Sequence, residues 1–425
     1  MKLKLHWQIL IAIFAAAVIG FILQGIGGGA ADTTAGVFAF LGKLFLNALH
    51  MIVVPLIVSS IICGVFGLGG SADIGRMGGR TLGFYVASSF LAILVGLVIV
   101  NITQPGIVGG EPAHEQLNLS SPEELQSSLS KIENRDAGDI ASVFMRMIPT
   151  NVIEAAANGQ LLGLIFFSIL FGFFMTRIQQ KHSETLENFW QGVFETMMQM
   201  TLFIMKFAPI GVFGLVANTV YETGISAIGP LMVFFMTVVA ALAFHVFITM
   251  ALVLHFVAKV NPIHHYKAML PAMLTAFSTA SSSATLPVTL ECIEKNVGVS
   301  NKTTSFVLPL GATVNMDGTA LYECVAALFI AQAYGLDLTL GQQFLVVITA
   351  LLTSIGVAGI PSASLVAISV ILTAIGLPLE GIGLLLVTDR VLDMLRTAVN
   401  VFSDSCCAVY VARAQGEKGL YKQIF

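Results

Sequence analysis

Residues 384–409 read LLLVTDRVLDMLRTAVNVFSDSCCAV, and they place charged and amide side chains inside a long apolar stretch. On a helix, the polar residues would follow one another at intervals of four, three, four and four: Asp389, Asp393, Arg396, Asn400 and Asp404. Such intervals keep side chains on one helix face. A polar stripe inside a membrane-length segment is costly unless it faces a wet cavity, a partner or a ligand. The stretch therefore predicts a functional helix; the alternative is a set of ion pairs within the end of an ordinary span.

The composition is that of a membrane protein. Of the 425 residues, 56% are hydrophobic and 10% are charged, whereas a soluble domain has about 25% charged residues. Several apolar stretches reach the length of about 18 residues that a membrane helix needs. They lack the alternation of barrel strands, so we predict an all-α polytopic membrane protein. The five cysteines are scattered and predict no disulfide framework, and there is no zinc spacing, phosphate loop or dinucleotide fingerprint.

Six spans are predicted in the first part of the chain. The apolar N-terminus continues into further membrane segments, so we interpret it as a retained first span and not as a signal peptide. The spans are residues 7–27, 36–68, 80–103, a fourth that follows residue 140 and has a break at 149–151, 192–218, and 226–258. Residues 107–139 are predicted to form an external polar loop. With a cytoplasmic N-terminus, 13 of the 20 basic residues lie in cytoplasmic segments and only two lie outside. That bias predicts a cytoplasmic N-terminus.

The pattern changes after residue 267, where the apolar stretches become shorter. Residues 276–290 (AFSTASSSATLPVTL) and 352–372 (LTSIGVAGIPSASLVAISVIL) each combine two short apolar arms with a tip of small polar residues and proline. Each arm is too short to span, because spanning takes about 20 residues. Each stretch therefore predicts a re-entrant helical hairpin, with a kinked span as the alternative. Each is followed by a span with a polar break, residues 308–332 and then 384–409. Paired interrupted segments of this kind indicate a transporter binding site between repeats.

Four motifs in this order resemble the dicarboxylate/amino acid:cation symporter family, which includes the excitatory amino acid transporters and archaeal aspartate transporters. The motifs are SSSATLP (281–287), NMDGT (315–319), SIGVAGIP (354–361) and DRVLDMLRTAVNVFSD (389–404). The resemblance covers essentially the whole chain. It implies eight transmembrane helices plus two re-entrant hairpins, built as inverted repeats, in a homotrimer in the cell membrane with both termini cytoplasmic.

The resemblance also implies two domains and an elevator mechanism. Residues 1–75 and 140–220, with spans 1, 2, 4 and 5, would form a static scaffold that holds the trimer. Residues 76–106 and 225–425, with spans 3 and 6, both hairpins and spans 7 and 8, would form the transport domain. That domain would move across the membrane, and hairpin 2 would act as the gate.

The same resemblance assigns the substrate residues. Arg396 offers a planar fork that suits the side-chain carboxylate of aspartate or glutamate, and Asp393 can pair with the substrate ammonium. The other implied contacts come from both hairpins and from spans 7 and 8: Ser282, Thr319, Ile360, Ser364, Thr397 and Asn400. A plain C4-dicarboxylate would leave Asp393 unpaired, and a neutral amino acid would leave Arg396 unpaired. The alternative is that Asp393 and Arg396 pair with each other at i, i+3.

The resemblance also implies binding sites for coupling ions. Hard cations such as sodium prefer carboxylates, carbonyls and hydroxyls. The resemblance implies three sodium sites. The first comprises Gly311, Asn315, Asn400 and Asp404. The second takes the backbone carbonyls of Thr313, Ser354, Ile355 and Val357. The third comprises Tyr85, Ser88, Ser89, Asn315 and Asp317. Without the resemblance, the hydroxyls of span 3 would be interpreted as helix-packing groups.

Glu323 is the implied proton carrier, because excitatory transporters have glutamate at this position and sodium-only archaeal relatives have glutamine. Its alternative is a glutamate paired with a nearby cation or hydroxyl. The sequence departs from the family at Ala280 and Met394, where many relatives carry an arginine at one of the two positions. This departure puts potassium counter-transport in doubt and leaves Asp393 with less neutralising charge.

We therefore predict a secondary active importer of acidic amino acids that is driven by sodium ions, protons or both. The closest alternative is a proton-coupled or sodium-independent carrier of acidic amino acids or C4-dicarboxylates. A channel with Arg390 or Arg396 along an anion path is a second class. A membrane enzyme is disfavoured: Ser282, His264 and Asp393 are present, but no nucleophile elbow is visible.

Overall fold

The computed structural model describes residues 5–66, 72–117, 119, 148–157, 161–224, 228–356, 363–377 and 381–421. The described residues are largely helical. A two-residue antiparallel pair, β1 (Ile107–Val108) and β2 (Glu111–Pro112), follows the third helix and opens the predicted external loop. Most of that loop lies outside the described residues, as do Val357 and Ile360 of the predicted sites.

Within the described residues, seven helices precede residue 225. They are α1 (Leu5–Ile26), α2 (Gly29–Phe66), α3 (Ala72–Thr103), α4 (Val152–Ala157), α5 (Leu161–Met175), α6 (Gln180–Met205) and α7 (Ala208–Thr223). The first three predicted spans lie in α1, α2 and α3, and the predicted break at residues 149–151 immediately precedes α4. The prediction of one helix over 192–218 was wrong, because α6 ends at Met205 and α7 begins at Ala208. Pro209 supplies the reason: proline lacks a backbone donor and favours the first turn of a new helix.

The sixth predicted span is α8 (Ile228–Phe244), which continues as two π-helical segments, His245–Met250 and Val253–Val257. Hairpin 1 is confirmed as a pair of helices packed on each other, α9 (Pro262–Thr279) and α10 (Ser282–Glu291), with a π-helical end at Cys292–Val297. Ala280 makes the turn in the left-handed region at φ 48°. The Ser281 hydroxyl then accepts a hydrogen bond from the Ala284 amide at 3.2 Å and caps α10.

The predicted polar breaks differ between spans 7 and 8. Span 7 is interrupted: α11 (Asn301–Val314) and α12 (Asp317–Ala333) are separated by Asn315 and Met316, which are non-helical. Hairpin 2 has the arms α13 (Leu340–Gly356) and α14 (Ala363–Ile375), which pack against each other. Span 8 is one unbroken helix, α15 (Ile382–Ala414), so the predicted break there was wrong. Its polar side chains bond partly within α15 itself and partly to α12 and the break before it, and the helix continues without interruption.

The buried apolar residues of the described chain form three cores, and the smallest joins α2, α4 and α5 to α14. One core, which includes Phe45, Ile204 and Val212, joins α1, α2, α6 and α7. A much larger core joins α3 and α8 to α15, and within it α12 is buried along nearly its whole length. Three stretches of the described chain are long and apolar enough to cross a membrane: Met77–Thr103, Gly229–Val257 and Asn301–Ala333. The third passes through the break between α11 and α12.

Candidate functional site

The polar stripe of α15 meets α12 in the large core. Arg396 is fully buried, and its Nη2 donates to Asp389 Oδ1 at 2.9 Å and to Asp393 Oδ1 at 3.1 Å. Its guanidinium carbon lies 3.8 Å from the centre of the Tyr322 ring on α12. Among the described groups, Nε and Nη1 of Arg396 have no hydrogen-bond partner although both atoms are buried. The i, i+3 pairing of Asp393 and Arg396, considered as the alternative, is therefore present, but it leaves donors of Arg396 unused.

Asp393 has a second cationic neighbour. Arg390 Nη1 lies 3.5 Å from Asp393 Oδ2. Asp393 therefore has two arginines of its own helix as neighbours. That it has less neutralising charge than in relatives with an arginine at the position of Ala280 or Met394 stays a prediction.

A second set of groups links the start of α12 to α15. Asn400 Oδ1 accepts from the Gly318 amide at 2.8 Å, and Asn400 Nδ2 donates to Thr319 Oγ1 at 3.2 Å. A Cβ at Gly318 would lie 2.7 Å from the Arg396 carbonyl oxygen, so glycine allows the two helices to approach. Thr319 and Asn400, both predicted substrate residues, are thus brought together beside Arg396. The Thr397 hydroxyl instead donates to the Asp393 carbonyl of its own helix at 2.8 Å.

The hairpin residues are less closely connected. Ser282 is buried at the first position of α10, and Ser364 is buried in α14 with a hydroxyl that has no partner in the described part of the chain. Neither hydroxyl is hydrogen-bonded to Asp393 or Arg396 among the described contacts. Ile360 lies outside the described residues.

The third predicted cation set converges on Asp317. Its Oδ1 accepts from Ser89 at 2.7 Å and from Ser88 at 3.2 Å. Its Oδ2 accepts from Ser403 at 2.6 Å and lies 3.3 Å from His245 Nε2. Asp317 is fully buried, and its described hydrogen-bond partners include no lysine or arginine. Buried hydroxyls and a carboxylate in this arrangement form an oxygen-rich cluster of the kind that hard cations prefer.

The first predicted set is contiguous with the third. Asn315 Nδ2 donates to Asp404 Oδ1 at 2.9 Å and to Ser403 Oγ at 3.1 Å. A Cβ at Gly311 would lie 2.5 Å from Asp404 Oδ1 and 2.7 Å from the Tyr85 hydroxyl. The absence of a side chain at Gly311 therefore lets both oxygens approach its backbone. Tyr85 donates to the Val307 carbonyl at 2.8 Å.

The second predicted set consists of backbone carbonyls at helix ends. Thr313 is one residue from the end of α11, and Ser354 and Ile355 are in the last turn of α13. Carbonyls in the last turn lack intrahelical partners, and the negative end of the helix dipole favours a cation there. Val357 lies outside the described residues.

Glu323 lies on α12 next to Tyr322 and is fully buried. Thr353 Oγ1 of hairpin 2 donates to Glu323 Oε2 at 2.9 Å, and Oε1 has no partner among the described residues. The hydroxyl partner matches one of the alternatives given above, whereas no cation forms an ion pair with Glu323 in the described part of the structure.

Several groups in these clusters were not predicted as site residues: Asp389, Tyr322, His245, Ser403 and Thr353. Asp389 was recognised in the stripe of α15, but its pairing with Arg396 seven residues later depends on side-chain rotamers. His245 could have been singled out, because an ionisable residue in an apolar span is a functional candidate by default. Ser403 and Thr353 carried no signal of their own.

The family model and the individual relatives that match this chain agree with each other. Residues 5–414 match the model of the sodium:dicarboxylate symporter family. The chain is 35% identical over 421 residues to the proton/sodium-glutamate symport protein of Geobacillus stearothermophilus, across 98% of this chain and 96% of that protein. It is 33% identical to the proton/glutamate-aspartate symporter of Escherichia coli strain K12, across 97% of this chain and 93% of that protein. It is 34% identical to mouse excitatory amino acid transporter 3, across 95% of this chain and 84% of that protein.

Proposed function

The chain belongs to the sodium:dicarboxylate symporter family, and from that premise we infer that it is a secondary active transporter that imports acidic amino acids. Aspartate and glutamate are the proposed substrates, and sodium ions and protons are the proposed coupling ions. The relatives are transporters, so the chain is a membrane transporter and not an enzyme. The observation that carries the proposal is Arg396, a buried guanidinium with Nε and Nη1 unpaired among the described groups.

The substrate would bind between α12, α15 and the hairpin tips. A buried cation with unused donors favours a carboxylate, because an unpaired buried donor costs about 1–3 kcal/mol and charge-assisted pairs are strong. In our proposal the side-chain carboxylate of the substrate binds Arg396, and the ammonium group of the substrate pairs with Asp393. Thr319 and Asn400 bind the main carboxylate, with Thr397 near the side-chain end and contacts from Ser282, Ile360 and Ser364. This zwitterion with an extra carboxylate fits an Arg–Asp pair better than a C4-dicarboxylate does.

Sodium ions are proposed to bind at three places. Asp317 with Tyr85, Ser88, Ser89 and Asn315 supplies one oxygen cluster, supported by the hydroxyl contacts to the buried carboxylate. Gly311, Asn315, Asn400 and Asp404 supply another site. The carbonyls at the ends of α11 and α13 supply the remaining site, through Thr313, Ser354, Ile355 and Val357. A hydroxyl that donates to a carboxylate can turn a lone pair to a cation instead, so these clusters suit an ion that enters and leaves.

Glu323 is the proposed proton carrier. It is buried, it carries an unpaired Oε1 among the described groups, and it lies on the same helix as the proposed substrate residue Thr319. A carboxyl in such a place is costly to leave charged and unpaired, so carrying a proton is its simplest means of crossing the membrane. Thr353, on hairpin 2, would connect its protonation to the proposed gate.

The assembly and motion are further parts of the proposal. Residues 1–75 and 140–220 would form the scaffold of a homotrimer, and residues 76–106 and 225–425 the mobile transport domain of an elevator. Two of the cores support this division, since α3 shares a core with α8 to α15, whereas α1, α2, α6 and α7 share another. The smaller core, in which α2, α4 and α5 meet α14, would lie between the two domains. Both termini would be cytoplasmic, and the chain would have eight spans and two hairpins.

Isothermal titration of the purified full-length chain tests this function. We expect aspartate or glutamate to bind, with an affinity that rises steeply with sodium. Succinate, which lacks the ammonium, should bind at least tenfold more weakly. An affinity that responds to pH and not to sodium would favour the proton-coupled alternative. Failure of both amino acids to bind under all conditions would refute the roles of Arg396 and Asp393.

A further inference from the structure

His245 is a buried polar group that the proposed transport chemistry has not used. It lies where α8 widens into the π-helical segment His245–Met250, and its side chain is fully buried. Its Nε2 lies 3.3 Å from Asp317 Oδ2. Within the described part of the chain, its Nδ1 has no hydrogen-bond partner. Asp317 is therefore the hydrogen-bond partner of this ring among the described residues.

The four donors to Asp317 are not equivalent. The hydroxyls of Ser88, Ser89 and Ser403 can each rotate and present a lone pair instead of a proton. An imidazole N–H that faces a carboxylate has no lone pair to offer, so it can only donate. When a cation replaces the protons of Ser88 and Ser89 at Oδ1, the hydrogen bond from His245 to Oδ2 can persist unchanged.

The backbone next to His245 is linked to the same cluster through Tyr266 and Phe402. Tyr266 donates to the carbonyl of Val246, the residue after His245, at 2.6 Å. The Tyr266 ring stacks on Phe402 with centroids 4.8 Å apart and planes 4° apart. Phe402 immediately precedes Ser403, the other donor to Asp317 Oδ2. The segments that carry the two donors to Oδ2 are thus linked to each other, whereas the two donors to Oδ1 come from α3. A π-helical turn at this point also fits a functional position, since such turns are frequent at functional sites.

We propose that His245 is a positioning residue for sodium coupling: it holds Asp317 Oδ2 so that Oδ1 faces Ser88, Ser89 and Asn315, where the cation binds. The inference rests on the proposed function, because it assigns a role within the sodium cluster of Asp317. His245 acts through the orientation of the carboxylate and does not itself ligate the ion.

Substitution of the donor tests the role. His245→Phe keeps a buried ring without an N–H, whereas His245→Gln places an amide donor the same number of bonds from Cα as the imidazole Nε2. His255, an exposed histidine on the second π-helical segment, supplies the matched control His255→Gln. Sodium titrations of aspartate binding to the purified full-length variants give the sodium concentration at half-maximal binding. A melting curve for each variant establishes that it is folded.

We expect His245→Phe to raise the half-maximal sodium concentration about tenfold, which corresponds to a lost hydrogen bond to a charged group. His245→Gln should stay within about threefold of the wild type, His255→Gln should not change it, and aspartate affinity at saturating sodium should be alike in all four proteins. If His245→Phe does not yield folded protein, His245→Met replaces it as the variant without a donor.

Two outcomes would overturn the inference while leaving the proposed function intact. One is a wild-type sodium curve for the variant without a donor. The other is an equal loss in His245→Gln and His245→Phe, which would show that packing of the ring matters and its N–H does not. A wild-type protein that binds aspartate independently of sodium would instead refute the proposed sodium coupling, and the role of His245 would fall with it.

Discussion

Two buried polar clusters lie along the interface of α12 and α15, and they solve opposite electrostatic problems. Around Asp317, a carboxylate is surrounded by hydroxyls and an imidazole, and its described hydrogen-bond partners include no lysine or arginine. Around Arg396, a guanidinium is flanked by Asp389 and Asp393 and covered by the Tyr322 ring. The first cluster is short of positive charge and the second has unused cationic donors. One helix pair therefore holds a carboxylate without a basic partner among the described residues and a guanidinium with unused donors. Along α15 the two clusters are about two helical turns apart, from Arg396 to Ser403.

Asn400 connects the two clusters. Asn400 lies between them on α15 and bonds to both Gly318 and Thr319 at the start of α12. Asp317 is the first residue of that helix. An ion bound at Asp317 would therefore act on the same turn of backbone that carries Thr319, the proposed substrate residue.

Removal of the positive charge from the second cluster should have the largest effect. Arg396→Met leaves Asp389 and Asp393 without their shared partner, and breaking a buried ion pair costs about 3–5 kcal/mol. We expect loss of measurable aspartate and glutamate binding by calorimetry at saturating sodium. Arg396→Lys should restore little, because a point charge does not reproduce the planar fork. Aspartate affinity within threefold of the wild type in the methionine variant would contradict the assignment.

Neutralising the first cluster should have the next largest effect. Asp317→Asn keeps the shape of the side chain and removes the charge that a sodium ion would neutralise. We expect the sodium dependence of aspartate binding to flatten and the affinity in sodium to fall at least tenfold. Asp337→Asn, at an exposed carboxylate beyond the end of α12, is the control and should behave as wild type. A steep sodium dependence that survives in Asp317→Asn would remove Asp317 from the sodium sites.

A smaller and more selective change is expected at Glu323, which belongs to neither cluster. Glu323→Gln retains a group that can accept the hydrogen bond from Thr353 but cannot carry a proton. We expect aspartate uptake into proteoliposomes to lose its dependence on pH while sodium-dependent binding remains. The pH profile of uptake between about pH 6 and 8, where a carrier must exchange protons, measures this. An unchanged profile would assign proton coupling to another group.

The smallest effect is expected at Glu417, a carboxylate beyond the end of α15. Unlike the carboxylates of the two buried clusters, it is only partly buried. Partial burial opposes its ionisation, but hydrogen bonds from Ser300 and Thr303 outweigh this and lower its pKa. Because the pKa is lower in the folded state, its stabilisation is present above the unfolded value, near 4.5, and is lost as the pH falls through the folded value. Glu417→Gln should therefore reduce the melting temperature slightly at pH 7, and this reduction should shrink as the pH falls below about 4.5. A reduction that stays the same as the pH falls would show that the contact acts without its charge.

The sequence predicted the parts of these clusters that depend on local spacing. The period of α15 placed Asp393, Arg396 and Asn400 on one face, and the NMDGT motif predicted the interruption before α12. Both hairpins were predicted because their apolar arms are too short to span a membrane. The break between α6 and α7 was missed because the apolar content of that stretch hid Pro209.

The missing parts depend on contacts between distant segments. His245 reaches Asp317 from another helix, 72 residues earlier. Ser403 was an unremarkable hydroxyl beside Asp404 until α12 placed Asp317 against it. The pairing of Arg396 with Asp389 selects one of several rotamers, which the spacing alone leaves open. Tertiary packing decides such choices, and a single sequence carries no record of it.

Uptake of radiolabelled aspartate into proteoliposomes tests the central claim most directly. Purified protein is reconstituted, and an inward sodium gradient is imposed at equal pH on both sides of the membrane. The two-cluster account predicts accumulation of aspartate above its external concentration and collapse of that accumulation when an ionophore dissipates the sodium gradient. Aspartate that only equilibrates across the membrane, with or without the sodium gradient, would contradict it.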